Sequence, residues 1–221
     1  MKKFTAFDAT ALVVWLLPAV YTAFIYSLLP ARVPLHYDIH GDVDRYGSRT
    51  EFVFVIVLMA VVSAGVYLLM KYLPKIDPKK AVSYGEGTFQ KLGLGVMVFV
   101  TALSLWIIFT TVHRGVPVDR VLLPLLGLMF AFLGNMMNSI KPNYFAGFRT
   151  PWALENPDNW RATHRLVSRL WFAGGILITI LTLVLPPEPA TIVMLCIIAV
   201  ITIMPYAYSY SYFKKHHLNQ Q

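Results

Sequence analysis

The stretch Leu170-WFAGGILITILTLVL-Pro186-Pro187-Glu188-Pro189-ATIVMLCIIAVITIMPYAYSYSY-Phe213 decides the fold. It contains two apolar runs, 170–187 and 189–213, with one charged residue, Glu188, between them. Each run has the ~20 residues a helix needs to cross a ~30 Å hydrocarbon core. The prolines between them stop one helix and start the next, so the two runs form a tight antiparallel hairpin. Working outward toward the N-terminus, four more uncharged runs appear at 9–31, 52–70, 92–112 and 121–140. Continuous apolar runs, rather than alternating ten-residue ones, select helices over a barrel, because lipid offers the backbone no hydrogen-bond partner. The expected fold is an all-α integral membrane protein, one domain over residues 1–221, built as a bundle of six transmembrane helices.

Composition agrees with this reading. Of 221 residues, 57% are apolar and 14% charged, whereas a soluble domain carries about a quarter charged residues. A single cysteine, Cys196, excludes an internal disulfide and a multi-cysteine metal cluster. The first run is longer than a signal h-region and no A-x-A-like site follows it, so it reads as an uncleaved helix.

The formal charge of +8 comes from 19 Lys and Arg against 11 Asp and Glu. With six spans, both termini share a side with the second and fourth loops, and these segments hold 14 of the 19 basic residues. The other three loops hold five, Arg32, Arg45, Arg49, Arg114 and Arg120. The positive-inside rule then puts both termini in the cytoplasm of a multi-pass plasma-membrane protein, and topology accounts for the basic surplus without direct nucleic-acid binding.

No Asp, Glu, Lys, Arg or His lies inside the six runs as drawn, which argues against an ion-coupled transporter. Pro18, Pro124 and Pro205 are expected kinks. Gly93, Gly95, Gly174 and Gly175 are expected at close helix contacts, and Tyr206, Tyr208, Tyr210 and Tyr212 as an interfacial aromatic belt.

The chemistry concentrates in two loops. In the outer loop, 32–51, His36, Asp38, His40 and Asp42 are two apart and would share a face in an extended segment. With Asp44 they form a candidate divalent-metal set, zinc being the natural ion. A calcium loop fails, because the twelfth position from Asp42 is Val53 instead of Glu. The alternative is a solvated, turn-rich loop in which the acids bond nearby amides or pair with Arg45 and Arg49.

In the inner loop, 141–169, Asn156-Pro157-Asp158 is a strong helix start, predicted to run unbroken into the fifth span. Trp160, His164, Val167 and Trp171 then share one helix face and Arg161, Arg165 and Arg169 a neighbouring one. One reading makes this loop, with Arg149, Thr150 and Trp152, a docking site for an anionic headgroup or an acidic protein. The other has the arginines snorkel and the tryptophans anchor the interface. The second does not account for Gly147-Phe-Arg-Thr-Pro-Trp152, which is too costly to keep ordered without something to pack on. No G-x-S-x-G or H-E-x-x-H is present, so a non-enzyme is expected.

The inner loop resembles the SdpI/YfhL family of bacterial membrane proteins. Gly147-Phe-Arg-Thr-Pro-Trp-Ala-Leu, then Trp160 and Thr163-His164-Arg165, are similar to the pattern G-x-R-T-P-W-T-L, W and T-H-R, with Ala153 replacing a threonine. The outer loop, with Pro34-x-His36, Gly41 and Asp44, resembles the short domain of unknown function often found before that motif. The resemblance implies protection from a secreted, membrane-active peptide toxin and capture of a cytoplasmic repressor at the membrane. It also implies an inner site of Arg149, Thr150, Pro151, Trp152, Asn156, Trp160, His164 and Arg165. Membrane lipids are further expected partners, and no cofactor is expected beyond the metal considered above. The competing reading is a metal-dependent, membrane-embedded hydrolase or lipid-modifying enzyme using the outer His/Asp set.

Overall fold

The computed structural model describes residues 4–38, 42–78, 87–113, 116 and 118–218. The chain runs α1 (Ala6–Ile25), a short 3-10 turn (Tyr26–Leu28), β1 (Val33–Tyr37), β2 (Val43–Gly47), α2 (Arg49–Ile76), α3 (Thr88–Val112), α4 (Asp119–Met137), α5 (Pro151–Glu155), α6 (Pro157–Val184) and α7 (Pro187–Leu218). All of these helices except α5 are long and apolar enough to cross a membrane, which makes six. Both α2 and α6 have 28 residues. At 1.5 Å per residue they exceed the hydrocarbon core by roughly 12 Å.

The helix ends carry conventional stop and start chemistry. Capping boxes open α1 (Thr5 with Asp8) and α2 (Ser48 with Glu51), each satisfying two backbone donors that the helix itself leaves orphaned. Asn156 caps α6 by accepting from the amides of Asp158 and Asn159 at 2.8 and 3.1 Å. As the Asn-Pro-Asp signal requires, α6 then continues without a break through the fifth span.

Consecutive helices alternate in direction, so the bundle has two ends. One carries the β-hairpin and the other the 141–165 segment; they are called here the hairpin end and the motif end. The tightest pairing is α4 with α6, followed by α2 with α3 and α6 with α7. In lipid there is little hydrophobic force between helices, so close approach depends on small residues. A Cβ on Gly175 would collide with the Ala131 amide and lie 2.5 Å from the Gly127 carbonyl oxygen, and one on Gly134 would strike the backbone of Phe172. Gly175 was expected at such a contact; Gly127 and Gly134 on the fourth span were not singled out.

Three features depart from the sequence reading. First, the helices extend past the uncharged runs, so α1 contains Asp8 and α2 contains Lys71, both buried. The runs ended where the first charge appeared, but a helix continues while its charges find partners. Second, the loop 32–51 is an antiparallel hairpin, not an irregular loop, and its last residues already belong to α2. Pro34 and two register irregularities in β1 break the strict alternation that marks a strand. Third, the loop 141–169 contains an additional short helix, α5, ahead of the α6 start that Asn156-Pro157-Asp158 predicts.

Candidate functional site

At the motif end, residues 141–165 fold back onto α6 and α7 as a compact cap. Asn143 organises its first turn. Its buried amide donates to the carbonyls of Lys141 (2.8 Å) and Ala146 (2.9 Å) and accepts from the amides of Phe145 (2.8 Å) and Ala146 (2.7 Å). All of its polar capacity is used within four residues, as expected for an Asn that replaces backbone pairing in a tight turn.

Next comes Gly147, whose φ is 109°. A Cβ there would sit 2.5 Å from Nε2 of His164. Glycine is therefore required twice, by backbone conformation and by the imidazole packed on it. His164 is buried and stacked on Trp160 with ring centroids 4.0 Å apart. Its Nε2 accepts from the Phe148 amide at 3.1 Å, and its Nδ1 lies 3.0 Å from the Trp160 carbonyl oxygen. An acceptor at Nε2 leaves the proton on Nδ1, so the ring is neutral and pins the turn to α6. Trp160, 1% exposed, donates its indole N–H to the Ile140 carbonyl at 2.9 Å.

A buried polar chain continues the attachment. Thr150 caps α5 by accepting from Ala153 at 3.1 Å, and its oxygen lies 2.6 Å from that of Ser209 on α7. Ser209 donates to Oδ1 of Asn159 at 3.0 Å, Thr163 donates to the same oxygen at 2.9 Å, and the Asn159 amide donates to the Ser209 carbonyl at 3.0 Å. Each hydroxyl has one proton, so Thr150 must be the donor to Ser209. Trp152 rests on Tyr206, Tyr210 and Phe213 of α7, with centroids 4.9 to 6.3 Å away. That aromatic bed is what holds the Gly147–Trp152 segment in order. It also gives Tyr206 and Tyr210 a role the belt reading did not assign them.

The eight residues grouped at the inner site therefore divide by orientation. Thr150, Trp160 and His164 are buried, Trp152 and Asn156 are half-buried, and Arg149, Pro151 and Arg165 are exposed. Arg149 reaches back to the Tyr144 carbonyl at 2.5 Å, and the exposed Arg161 pairs with Asp158. The buried members hold shape, and the exposed arginines present cationic forks suited to carboxylate or phosphate. Asn143, Asn159 and Ser209 were missed by the sequence reading. The only available signal was that each is a small polar residue beside a motif or within an apolar run.

At the hairpin end, Nδ1 of His36 lies 2.7 and 2.9 Å from the two carboxylate oxygens of Asp44, with both side chains substantially exposed. Asp38 accepts from the Asp42 amide at 2.9 Å. His40 lies outside the described residues. Among the described residues no three His, Cys, Asp or Glu side chains converge as a metal site would require. The hairpin seats Val33 against Leu29, Phe52, Ile56 and Ile108.

Two family models match this chain. The SdpI/YfhL protein family matches residues 139–209, and a Domain of unknown function (DUF1648) matches residues 13–61. The first window covers the cap with α6 and most of α7; the second covers α1 from residue 13, the hairpin and the first half of α2. The chain is similar to a Bacillus subtilis (strain 168) protein named Immunity protein SdpI, 20% identical over 215 residues, covering 97% of this chain and 98% of that one. No solved structure matches.

Proposed function

We propose, on the premise that residues 139–209 place this multi-pass membrane protein in the SdpI/YfhL family, that it protects its host from a secreted, membrane-active peptide and relays the encounter to a cytoplasmic regulator. One observation carries the reading: the similarity to the Bacillus subtilis immunity protein spans both chains almost end to end. The hairpin, the six spans and the cap therefore all fall within the region compared. In this proposal the hairpin end faces outward, following the charge asymmetry of the loops, and meets the peptide. The motif end faces the cytoplasm, where Arg149, Pro151, Arg161 and Arg165 form the docking surface for an acidic protein partner.

The geometry supports a binding role in preference to a catalytic one. His164 has both ring nitrogens engaged by backbone groups and is sealed beneath Gly147. A general base needs a ring nitrogen within reach of a substrate proton. The arginines, in contrast, project from a cap whose interior is held by the Thr150–Ser209–Asn159 chain.

The test is a deletion strain challenged with secreted peptides and complemented in turn by wild type and by Arg149→Ala/Arg165→Ala. Deletion should sensitise the host. The double variant should accumulate to normal levels but lose capture of the cytoplasmic partner. Equal resistance of the deletion and parent strains would overturn the immunity reading; retained capture by the variant would overturn the docking surface.

A further inference from the structure

A buried, densely bonded ionisable group lies outside the cap. Asp8 of α1 is 6% exposed. One of its carboxylate oxygens accepts from Lys71 Nζ (2.7 Å), the Tyr67 hydroxyl (2.8 Å) and the Gln90 amide (3.2 Å). The other accepts from the Thr5 amide (2.7 Å) and hydroxyl (2.8 Å). Donors from the N-cap of α1, from α2 and from α3 thus converge on one carboxylate, with Gln90 also donating to the Tyr67 hydroxyl at 2.9 Å.

What surrounds this cluster matters as much as its bonds. Just beside it, between α1 and α2, is an open gap of about 260 Å³ lined mostly by apolar side chains, including Leu12, Trp15, Ala64 and Leu68. The far end of the gap is bridged by a hydrogen bond from the Trp15 indole to the Ala60 carbonyl, 2.8 Å. Interdigitated side chains normally set the axial register of two helices. Between those two polar contacts the shared core is small, Ala11 with Tyr67 and Met97, so the polar contacts at either end carry much of the register. Lys71 is also flanked by Met70 and Leu73, which are buried in the same core cluster as Ala146, Ala153 and Trp160 of the cap.

We infer that Asp8 and Lys71 are positioning residues for the docking surface: the pair sets the register of α2 against α1 and thereby seats Met70 and Leu73 beneath the cap. Stability alone does not account for a pair so placed, because exchanging a buried ion pair for apolar residues is often neutral or better, whereas losing one partner strands a charge. A register function accounts for it, since a directional, charge-assisted contact has one geometry and an apolar contact has many. The functional consequence rests on the docking surface proposed above; the structural claim does not.

The experiment uses the full chain in detergent with Cys196→Ser and one new buried cysteine. Ala153→Cys reports the cap, and Ala190→Cys, in the separate cluster formed by α4, α6 and α7 at the hairpin end, reports global opening. Asp8→Asn should raise alkylation at position 153 by roughly tenfold or more while leaving position 190 protected. Lys71→Arg should preserve protection at both. Asp8→Leu/Lys71→Met, which removes both members of the pair, should stay folded by the position-190 readout yet remain fast at 153. If the double apolar variant recovers wild-type protection at 153, or if Asp8→Asn never lost it, the pair has no positioning role. Parallel acceleration at 153 and 190 in Asp8→Asn would also overturn the inference, by showing a global tie. These rates are independent of immunity, so this inference and the proposed function fail separately.

Discussion

At the scale of single residues, Gly147 and His164 form the tightest constraint in the cap. The positive φ and the missing Cβ let the Phe148 amide reach the imidazole, and the imidazole then ties the turn to α6. Gly147→Ala should destabilise the protein by about 2 kcal/mol or more, through backbone strain and displacement of the ring. A lowered midpoint in thermal unfolding, with altered tryptophan emission from Trp160, would register it; an unchanged midpoint would mean the turn relaxes freely. The proximity of Trp160 and His164 was legible, because residues four apart share a helix face. The burial of His164 against Gly147, 17 positions earlier, was not, since no local pattern places a loop over one side of a helix.

At the scale of elements, local chemistry and tertiary packing contribute in different proportions. The start of α6 is set locally by Asn156, Pro157 and Asp158. Asn156→Ala should remove two hydrogen bonds to orphaned amides and cost about 1 kcal/mol, read as a shift in the unfolding midpoint without loss of the fold. The five residues of α5 could not persist alone, because helix nucleation is costly. It is ordered by Thr150 on Ser209 and by Trp152 on the α7 aromatics. The hairpin 33–47 is likewise a tertiary product, because two short strands are marginal by themselves. Its attachment through Val33 to the hairpin ends of α2 and α3 supplies what the turn sequence lacks.

At the scale of the whole molecule, the bundle depends on backbone contact between α4 and α6. Gly175→Val would insert a side chain where the Gly127 carbonyl and the Ala131 amide already sit. It should prevent recovery of a monodisperse folded species in size-exclusion chromatography. Gly65→Ala, with open space around it, should be tolerated and stabilise by up to about 1 kcal/mol through helix propensity. Equal behaviour of the two variants would show that α4 and α6 do not meet through glycine. The six apolar runs and their hairpin connection at Pro186–Pro189 were determined by the sequence alone. Lipid leaves a hydrocarbon-length apolar segment little choice but a helix, and the clustered Pro186, Pro187 and Pro189 around Glu188 end one span and open the next. The Asn-Pro-Asp start and the motif's position followed from the same local rules. Only the tertiary structure decided that Asp8 and Lys71, 63 positions apart, bury each other, that the tyrosines of α7 form a bed for Trp152, and that the inner-site residues divide into buried supports and an exposed surface. Those outcomes depend on which helix faces meet and how closely, and the helices that supply them are distant in sequence and alike in composition.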